Sequence, residues 1–463
     1  MPEEPARNQP ELLTVAPESP DTPCYFLSLT VENIRTFGPA QTLNLSDPDG
    51  RPCRWTILLG DNGSGKTTIL QTIAALTPQK YPERDKYESP EVEAALSVRF
   101  PDIFLRPDAV KYHTFRRTDS TGYKVASRIA YGGRLVDLGS ETREIALNLT
   151  MVFTGDFPHA GSCSNIQKPI EKLTIYGYGA TRRIGSAKLS EIRGTDPQAT
   201  LFDDNCPLLN AEEWLLQADY AATKSQEKKA VERLGRIKSI LVQLLPDVEA
   251  IRIEPRGTET PIVEAQTHYG WVPLRSLSSG YRSVVAWMVD LASRLFDRYP
   301  NSPDPLAEPA IVLVDQIDVY LHPKWQRDLI KNLTGIFKNT QFIVTAHSPL
   351  IVQSAPGANI AVLRREGDHT VIDQSHESVK GWRLDQIVAS DLFDVGSRDP
   401  ETEALLEERG KLLAKPSLTP DDEARLKILN EKADALPYGE NEEERKAMEI
   451  IRRAAKKLEN RAV

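Results

Sequence analysis

Cysteine is scarce in this sequence, and no long apolar run occurs in it. The four cysteines, Cys24, Cys53, Cys163 and Cys206, lie far apart and form no C-x-x-C pair. This spacing argues against a zinc site or a disulfide framework and fits a reducing cytosol, so we expect a cytoplasmic protein. No apolar run approaches the roughly 20 residues that are needed to cross a bilayer, so we expect no membrane segment.

A surplus of positive charge is also missing. The 463 residues carry a net charge of −9, and their 40% hydrophobic and 27% charged residues are the balance of an ordinary globular protein. This excludes a protein coated in positive charge, although a local basic groove is still allowed. Residues 1–23 are rich in Pro and Glu and lack the apolar core of a signal peptide, so we expect a disordered leader there.

A glycine-rich loop stands between a predicted strand and a predicted helix. Residues 60–67 read Gly-Asp-Asn-Gly-Ser-Gly-Lys-Thr, which fits the pattern G-x-x-x-x-G-K-T. The apolar run 55–59 precedes the loop, and a helix is predicted from Thr67 to Leu76. Such glycines let successive N–H groups point at phosphate oxygens, and the helix N-terminus adds the positive end of a dipole. The sequence therefore predicts a phosphate loop.

The residues of this loop have separate expected roles. Lys66 should reach the β- and γ-phosphates of a nucleotide, and the Thr67 hydroxyl should ligate Mg²⁺. The whole set that we expect to contact the nucleotide in this loop comprises Gly60, Asn62, Gly63, Gly65, Lys66, Thr67 and Thr68.

A carboxylate and an amide follow the strongly apolar run 310–314. Asp315 stands at the end of this predicted strand, where a carboxylate beside a phosphate loop is the expected partner of Mg²⁺. The next residue should polarise the attacking water, and here it is Gln316. An amide can orient a water but is no base near neutral pH, so it cannot take the proton. We therefore expect ATP·Mg²⁺ to bind and to be hydrolysed poorly.

Two other segments offer contacts for a γ-phosphate. Residues 277–281, Leu-Ser-Ser-Gly-Tyr, precede a predicted helix and form a second anion site if their N–H groups and the Ser278 hydroxyl face a ligand. An ordinary serine helix cap is the alternative. His347 follows the predicted strand 341–345 and can donate a hydrogen bond to a γ-phosphate, with an ordinary structural histidine as the alternative.

Apart from these motifs, the pattern predicts short strands, helices and loops. Strands are predicted at 92–100, 111–115, 123–131 and 134–138, which suggests an antiparallel sheet, whereas 142–170 gives no clear element. Helices are predicted at 211–223, 226–245, 401–414, 421–436 and 441–460. Apolar runs that alternate with helices in the second half favour a parallel sheet covered on both faces.

In their order along the chain, these motifs resemble the ATP-binding-cassette ATPases, and specifically the non-transporter branch that includes the SMC, RecF and OLD-like proteins. The resemblance covers roughly residues 24–76 and 274–365. It implies an α/β fold: an ATPase core with a mainly parallel sheet, a lateral antiparallel β region, a helical insertion and a charged helical C-terminal extension. It also implies that ATP and Mg²⁺ bind, and that ATP joins two copies into a head-to-tail homodimer or a higher oligomer.

The resemblance assigns roles to further residues. It implies that the signature loop of one subunit closes over the ATP of the other. Asp315 matches the Walker B acid, and His347 matches the switch histidine. Arg35 resembles an arginine near the nucleotide in relatives, with a solvated turn residue as the alternative. The D-loop region is expected at His322 and Pro323, and the signature loop at Leu277, Ser278, Ser279 and Gly280.

Position 316 departs from the family pattern, which has glutamate there. Gln316 is interpreted as an engineered replacement that traps the ATP-bound dimer, or else as the residue of a naturally slow or inactive ATPase. In both cases Asp315, Gln316 and His347 form the expected catalytic set, and hydrolysis is expected to be impaired.

The C-terminal region suggests a biological role. Residues 381–387 and 392–401 are similar to the C-terminal extension of Septu-like ATPases of bacterial anti-phage systems, which work with an HNH nuclease. PARIS-type ATPases, with a TOPRIM partner, are near relatives. The resemblance implies a sensor and scaffold that controls a partner nuclease of the HNH or TOPRIM type. The alternative is a RecF- or SMC-like repair ATPase that clamps DNA. The tail after residue 365 lacks a TOPRIM pattern, so no intrinsic nuclease is expected.

Two groups of basic residues allow contact with DNA or RNA. The second group interleaves Glu227 and Glu232, so a solvated helix face is an equally good interpretation of it. The groups are Arg182, Arg183, Lys188 and Arg193, and then Lys224, Lys228, Lys229, Arg233, Arg236 and Lys238.

The expected domain organisation has five parts. These are a leader at 1–23, the first half of the ATPase core with its lateral β region at 24–140, an insertion with a helical part at 141–270, the second half of the core at 271–365, and a helical extension for partner binding or self-association at 366–463.

Overall fold

The computed structural model describes residues 23–80, 103–105, 122–131, 135, 143–154, 157–164, 173–182, 196–225, 227–256, 259–375, 378–393, 399–415, 418–434 and 436. The chain divides into two compact units. The first comprises Met1–Ile387 with Asp391–Phe393, and the second comprises Val388–Ser390 with Asp394–Val463. The predicted strands 92–100 and 111–115, nearly all of 134–138, and the predicted helix 441–460 lie outside the described residues.

All the strands in the described part of the chain belong to the first unit. In chain order they are β1 (Cys24–Glu32), β2 (Gln41–Asn44), β3 (Trp55–Gly60), β4 (Pro78–Lys80), β5 (Ile103–Leu105), β6 (Gly122–Tyr131), β7 (Arg143–Thr154), β8 (Phe157–Ser164), β9 (Ile175–Tyr178), β10 (Ala250–Arg256), β11 (Glu259–Thr267), β12 (Gly270–Pro273), β13 (Ala310–Val314), β14 (Thr340–Thr345), β15 (Asn359–Glu366) and β16 (His369–Asp373).

The described residues also form ten α-helices. They are α1 (Lys66–Ala75), α2 (Ala199–Phe202), α3 (Ala211–Ser225), α4 (Lys228–Leu244), α5 (Ser279–Arg298), α6 (Pro323–Ile336), α7 (Pro349–Ser354), α8 (Leu384–Val388), α9 (Pro400–Leu413) and α10 (Pro420–Asp434). No helix in the described part of the chain is both long and apolar enough to span a membrane.

The core of the first unit is a six-stranded sheet in the order β16-β15-β3-β14-β13-β9. Its pairs are parallel except for β15 with β16, which are antiparallel. Every residue of β13 and β14 is buried, as expected for strands that are covered on both faces. The predicted α/β fold with a mainly parallel sheet is therefore confirmed. Because parallel strands end at the same edge, the segments after β3, β13 and β14 come together there.

A second, antiparallel sheet has the order β2-β1-β6-β7-β8. It confirms the expected antiparallel β region, but β7 and β8 fill much of the range 142–170, for which no clear element is predicted. Strand β8 was not predicted because it contains Pro158, Gly161 and Ser162, which are typical turn residues. Since β8 is the last strand of the sheet and pairs with β7 across a register shift, it can accommodate a proline.

The helical insertion agrees closely with its prediction. Helices α3 and α4 each begin and end within two residues of their predicted limits. Five apolar residues that recur along α4 at helical spacing are buried: Leu234, Ile237, Ile240, Leu241 and Leu244. Val231 on the same helix is 52% exposed. Helix α4 thus lays one apolar face against α5 and α6, the helices that follow the signature loop and Asp315.

The region after residue 365 differs from the prediction of an all-helical extension. Strand β16 turns back at Gly367, whose φ is 60°, and pairs with β15 at the edge of the core sheet. The core sheet therefore continues past the expected boundary at residue 365. The five residues of β16, His-Thr-Val-Ile-Asp, are too few to show a clear apolar periodicity, which is why the strand was not predicted.

The second unit contains the two predicted charged helices, α9 and α10. Arg425 donates two hydrogen bonds to Glu408, at 2.7 and 2.8 Å, and Arg409 donates one to Asn430 at 2.6 Å. Polar contacts of this kind, with a small buried contribution from Leu412 and Leu429, join the helices as a pair.

Candidate nucleotide-binding site

The predicted phosphate loop lies between β3 and α1, as expected. Its glycines have backbone conformations or contacts that exclude a side chain. Gly60 has φ 133°, and a Cβ there would lie 2.3 Å from the carbonyl oxygen of Leu363. Gly65 has φ 94°, and its Cβ would lie 2.6 Å from Thr36 Oγ1. Gly63 also has a positive φ, of 80°, but open space around it. The loop is thus packed closely at both ends, which only glycine allows.

Lys66 folds back over this loop. Its ammonium donates hydrogen bonds to the carbonyl oxygens of Gly60 at 2.7 Å and Asp61 at 2.8 Å, and the residue is 7% exposed. Burial lowers the pKa of Lys66, while the nearby carboxylates of Asp315, Asp61 and Asp318 oppose the shift. Neutral carbonyls are weaker partners for an ammonium than phosphate oxygens, so a triphosphate can take these contacts over.

The hydroxyls of two threonines hold Asp315 from both sides. Thr67 Oγ1 donates to Asp315 Oδ2 at 2.7 Å, and Thr345 Oγ1 donates to Asp315 Oδ1 at 2.6 Å. Thr345 Oγ1 in turn accepts a hydrogen bond from the Gln316 N–H at 2.6 Å. The expected Mg²⁺ ligands Thr67 and Asp315 are therefore adjacent. Thr345 was not predicted, because its place depends on the register of β14 against β13, in which Val344 lies beside Val314.

The site fits ATP with Mg²⁺. The Ser64 hydroxyl is buried at the loop and has no hydrogen-bond partner among the described residues, so it is a donor without an acceptor. The side chains that can hold the metal are one hydroxyl and one carboxylate, a set that suits Mg²⁺, which keeps waters and substrate phosphates as its other ligands. No group of three or more His, Cys, Asp or Glu side chains in the described ranges could hold a metal by itself.

Residue 316 has an unusual backbone and a buried partner. Gln316 has φ 49°, and its carbonyl oxygen accepts a hydrogen bond from Arg182 Nη2 at 2.6 Å. Arg182 is only 3% exposed. The interpretation of Arg182 as part of a surface group for nucleic acid is therefore wrong, because its guanidinium is inside the protein. The other members of that group, Arg183, Lys188 and Arg193, lie outside the described residues.

His347 lies just after the end of β14, near the carboxylates of Asp315 and Asp318. The backbone N–H of His347 donates to Asp318 Oδ2 at 2.9 Å. Asp318, which was not predicted as a site residue, therefore fixes the backbone here. Partial burial, and then the Lys66 ammonium, lowers the pKa of His347 below the ordinary value of 6.5. The imidazole is therefore neutral at pH 7 and keeps one N–H that can donate to a phosphate. The following residue, Ser348, caps α7.

The predicted signature loop is at the start of α5. Ser278 occupies the cap position, but its side chain accepts no capping hydrogen bond, and both Ser278 and Ser279 are exposed. A Cβ at Gly280 would lie 2.3 Å from the carbonyl oxygen of Tyr320, so this glycine permits close packing. Leu277 is half-buried in the core. The exposed serine hydroxyls are thus available to a ligand.

The two remaining predicted regions have structural contacts. His322 caps α6, since its Nδ1 accepts a hydrogen bond from the Lys324 N–H at 3.2 Å, and Pro323 begins that helix. Arg35 is half-buried and donates to Gln71 Oε1 at 2.8 Å and to Thr68 Oγ1 at 3.3 Å. Arg35 is therefore not a solvated turn residue, because it braces α1 one residue beyond Thr67. Asn62 is exposed in the phosphate loop.

Left-handed backbone conformations concentrate around this site. Six described residues other than glycine have a positive φ, and five of them are in the segments that build the site: Asn33, Arg35, Arg182, Gln316 and Tyr320. Such conformations are costly for residues with a Cβ and persist where surrounding contacts impose them. Sequence patterns carry no signal for them, which is why this feature was not predicted.

Part of the second basic group also contacts the same chain. Arg233 donates to the carbonyl oxygen of Phe296 at 3.0 Å, and Arg236 pairs with Asp304 at 3.3 Å. These two arginines connect α4 to the end of α5 and the segment after it. Because these contacts occupy them, the two arginines are less available to nucleic acid than fully solvated side chains would be.

Two family models match the chain. The one described as "AAA domain, putative AbiEii toxin, Type IV TA system" matches residues 221–353, which include the signature loop, Asp315 and His347. The other, described as "AAA domain", matches residues 28–145, which include the phosphate loop.

Relatives of the chain have names from bacterial defence systems. The chain is 37% identical over 434 residues to the retron Ec83 probable ATPase of Escherichia coli, covering 80% of this chain and 78% of that protein. It is 28% identical over 387 residues to the Septu protein PtuA of Bacillus mycoides strain KBAB4, covering 82% of this chain. It spans 46% of the length of this Septu protein.

A solved structure of the SMC head bound to the C-winged helix domain of ScpA is 15% identical with a TM-score of 0.42, over 75% of this chain and 97% of that chain. A TM-score of this size supports no conclusion by itself. The sequence matches carry the assignment, and they agree with the resemblance that the order of the motifs indicated. The chain belongs to the family of the retron Ec83 probable ATPase, and it is also similar to Septu protein PtuA.

Proposed function

We propose that the chain is the ATP-binding component of an anti-phage defence system, and that it acts as a sensor and scaffold for a partner nuclease. ATP closes two copies into a head-to-tail dimer, and the closed dimer controls the nuclease. The observation that carries the ATPase part is the network of Thr67, Asp315 and Thr345 beside a glycine loop. It is the arrangement expected of a site for a nucleotide and Mg²⁺.

Different residues of this chain bind the phosphates, the Mg²⁺ ion and the γ-phosphate oxygens. The N–H groups at the start of α1 and the Lys66 ammonium hold the phosphates, and the Ser64 hydroxyl gains the acceptor that it lacks. Thr67 and Asp315 hold Mg²⁺, which when bound neutralises charge that develops on the phosphate oxygens. His347, neutral at pH 7, donates an N–H to the γ-phosphate.

Residue 316 sets the rate of hydrolysis. The reaction adds water to the γ-phosphorus, releases ADP and frees one proton. The Gln316 amide can orient the water but cannot accept that proton, so the chain holds ATP far better than it hydrolyses it. Turnover should rise at least about a hundredfold in Gln316→Glu, within the usual range for a general base. Equal rates for the two chains would contradict this role of residue 316.

The dimer explains the exposed signature loop. In one copy Ser278 and Ser279 are exposed, and the Ser278 side chain accepts no capping hydrogen bond, so the serine hydroxyls and N–H groups suit the γ-phosphate bound by a second copy. The proposed site is therefore completed in trans by Leu277, Ser278, Ser279 and Gly280. Light scattering with and without ATP and Mg²⁺ measures the expected doubling of mass.

The partner is proposed from the relatives alone. Since Septu protein PtuA belongs to a defence system, we propose an HNH nuclease as the partner, with a TOPRIM nuclease as the variant known from PARIS-type systems, and a cytoplasmic location. Copurification of a small HNH protein made by an adjacent gene is the expected result. ATP-dependent binding to DNA by the purified chain alone would instead favour the second function, a repair ATPase that clamps DNA.

A further inference from the structure

Arg182 occupies a place beside the catalytic position that no sequence pattern indicated. It follows β9, the strand next to β13 in the core sheet, with Tyr178 beside Val314. The Asp315 N–H donates to the carbonyl oxygen of Tyr178 at 2.8 Å, so the end of β9 lies directly against the start of the catalytic segment. The Arg182 side chain then reaches one residue further along that segment.

The guanidinium of Arg182 forms a close, buried contact with the backbone. Its Nη2 donates to the carbonyl oxygen of Gln316 at 2.6 Å, while its Nε is buried and has no partner among the described residues. Burial lowers the pKa of Arg182 to about 10, and the carboxylates of Asp315 and Asp318 oppose the shift. The side chain is therefore still charged at pH 7, close to both carboxylates.

Burying a charged arginine has a large desolvation cost, and a neutral donor could hold a carbonyl oxygen as well. Both residues that this hydrogen bond joins are also left-handed, with φ 33° at Arg182 and 49° at Gln316. Charge and strain of this kind concentrate at functional sites. Because the hydrogen bond fixes the backbone of the residue that orients the water, it bears on hydrolysis more directly than on ATP binding.

The segment that leads from β9 to Arg182 is itself held firmly. Tyr178 OH donates to Asp290 Oδ2 at 2.9 Å, and Arg294 donates to the same oxygen at 2.7 Å, which ties β9 to α5. A Cβ at Gly179 would lie 2.1 Å from the carbonyl oxygen of Thr200, so the chain between β9 and Arg182 packs directly on α2. A residue can position another only if its own backbone is held rigidly.

We propose that Arg182 is a positioning residue for ATP hydrolysis, which locks the backbone at residue 316 so that its side chain is held against the attacking water. This inference rests on the proposed function, since it assumes that residue 316 orients the water. The loss of such a constraint should lower kcat and leave the affinity for ATP unchanged, because the phosphate loop is not altered.

The kinetic test uses Gln316→Glu as the parent chain, because that variant should turn over. Two variants, Arg182→Met and Arg182→Lys, are introduced into this parent. The matched control is Arg236→Met, which removes an arginine of α4 that pairs with Asp304. Arg182→Met should lower kcat about a hundredfold, the effect of a small misplacement at a reacting centre. The dissociation constant for Mg²⁺·ATP should stay at the parent value, Arg182→Lys should recover part of kcat, and Arg236→Met should match the parent.

Three kinetic results would overturn the inference. They are an unchanged kcat in Arg182→Met, a parallel loss of ATP affinity and kcat, and a lysine variant no better than the methionine variant. Should Arg182→Met fail to fold, Arg182→Lys is compared with the parent alone, and a kcat equal to that of the parent would then contradict the role.

Amide hydrogen exchange supplies a second readout that needs no turnover. In the unaltered chain, Arg182→Met should speed exchange of the Gln316 and Ile317 amides about tenfold, the value of one lost hydrogen bond, and leave α1 unchanged. If the Gln316→Glu parent shows no turnover, the proposed function fails, and the exchange rates alone decide whether Arg182 holds this backbone. Unchanged exchange would overturn the inference.

Discussion

Replacing Thr345 with valine tests how the carboxylate of Asp315, the proposed Mg²⁺ ligand, is held. Thr345 is fully buried, donates to Asp315 Oδ1 at 2.6 Å and accepts from the Gln316 N–H at 2.6 Å. Valine has nearly the same shape but can neither donate nor accept a hydrogen bond. Two polar groups of the site thereby lose a partner while the packing stays the same.

The size of the effect follows from these two contacts. A hydrogen bond to a charged group contributes about 1.5–3 kcal/mol. If Asp315 must keep its orientation to ligate Mg²⁺, Thr345→Val should weaken the binding of Mg²⁺·ATP by this amount, which is about 10- to 150-fold. The binding of ATP without metal should not change, because Lys66 and the loop N–H groups are not altered.

Isothermal titration calorimetry with and without Mg²⁺ separates these effects. The matched control is Thr345→Ser, which keeps the hydroxyl and loses only a methyl group, and it should bind Mg²⁺·ATP like the unaltered chain. Equal affinities for the valine and serine variants would refute the reasoning. So would a loss of affinity in Thr345→Val that is the same with and without Mg²⁺.

Further predictions concern the loop and the histidine. Gly65→Ala should abolish ATP binding in a filter-binding assay, because its Cβ would lie 2.6 Å from Thr36 Oγ1, whereas Gly63→Ala, with open space, should only weaken it. Similar losses would contradict the close packing. Since the folded pKa of His347 is lowered, its contribution to stability is present above about pH 6.5 and is lost as the pH falls through the folded pKa. His347→Gln should remove this part of the pH dependence of urea unfolding, and identical pH profiles would count against it.

The parts of the site that could be predicted are local in sequence. The phosphate loop follows from eight consecutive residues, 60–67, and Asp315 from its position after a fully apolar strand. The parallel sheet follows from the apolar runs at 310–314 and 341–345. Each of these depends on neighbours in the chain, which a single sequence contains.

The parts that could not be predicted depend on residues distant in sequence. Thr345 meets Asp315 only through the register of two parallel strands, and Arg182 meets Gln316 only because β9 takes the place beside β13. In the same way, β8 pairs with β7 although it contains the turn residues Pro158 and Gly161, and the short strand β16 is recognisable only by its pairing with β15. Pairing of this kind leaves no periodicity in one sequence.

The most direct test of the account is whether the ATP site is shared between two copies. Lys66→Ala should disable the phosphate loop, and Ser278→Arg should disable the signature loop, so each variant alone should retain no Mg²⁺·ATP after gel filtration. A mixture of the two variants contains dimers in which the intact phosphate loop of one copy meets the intact signature loop of the other. We predict that the mixture retains about one ATP per mixed dimer, as two-fold symmetry requires. Retention by Ser278→Arg alone, or none by the mixture, would contradict the shared site.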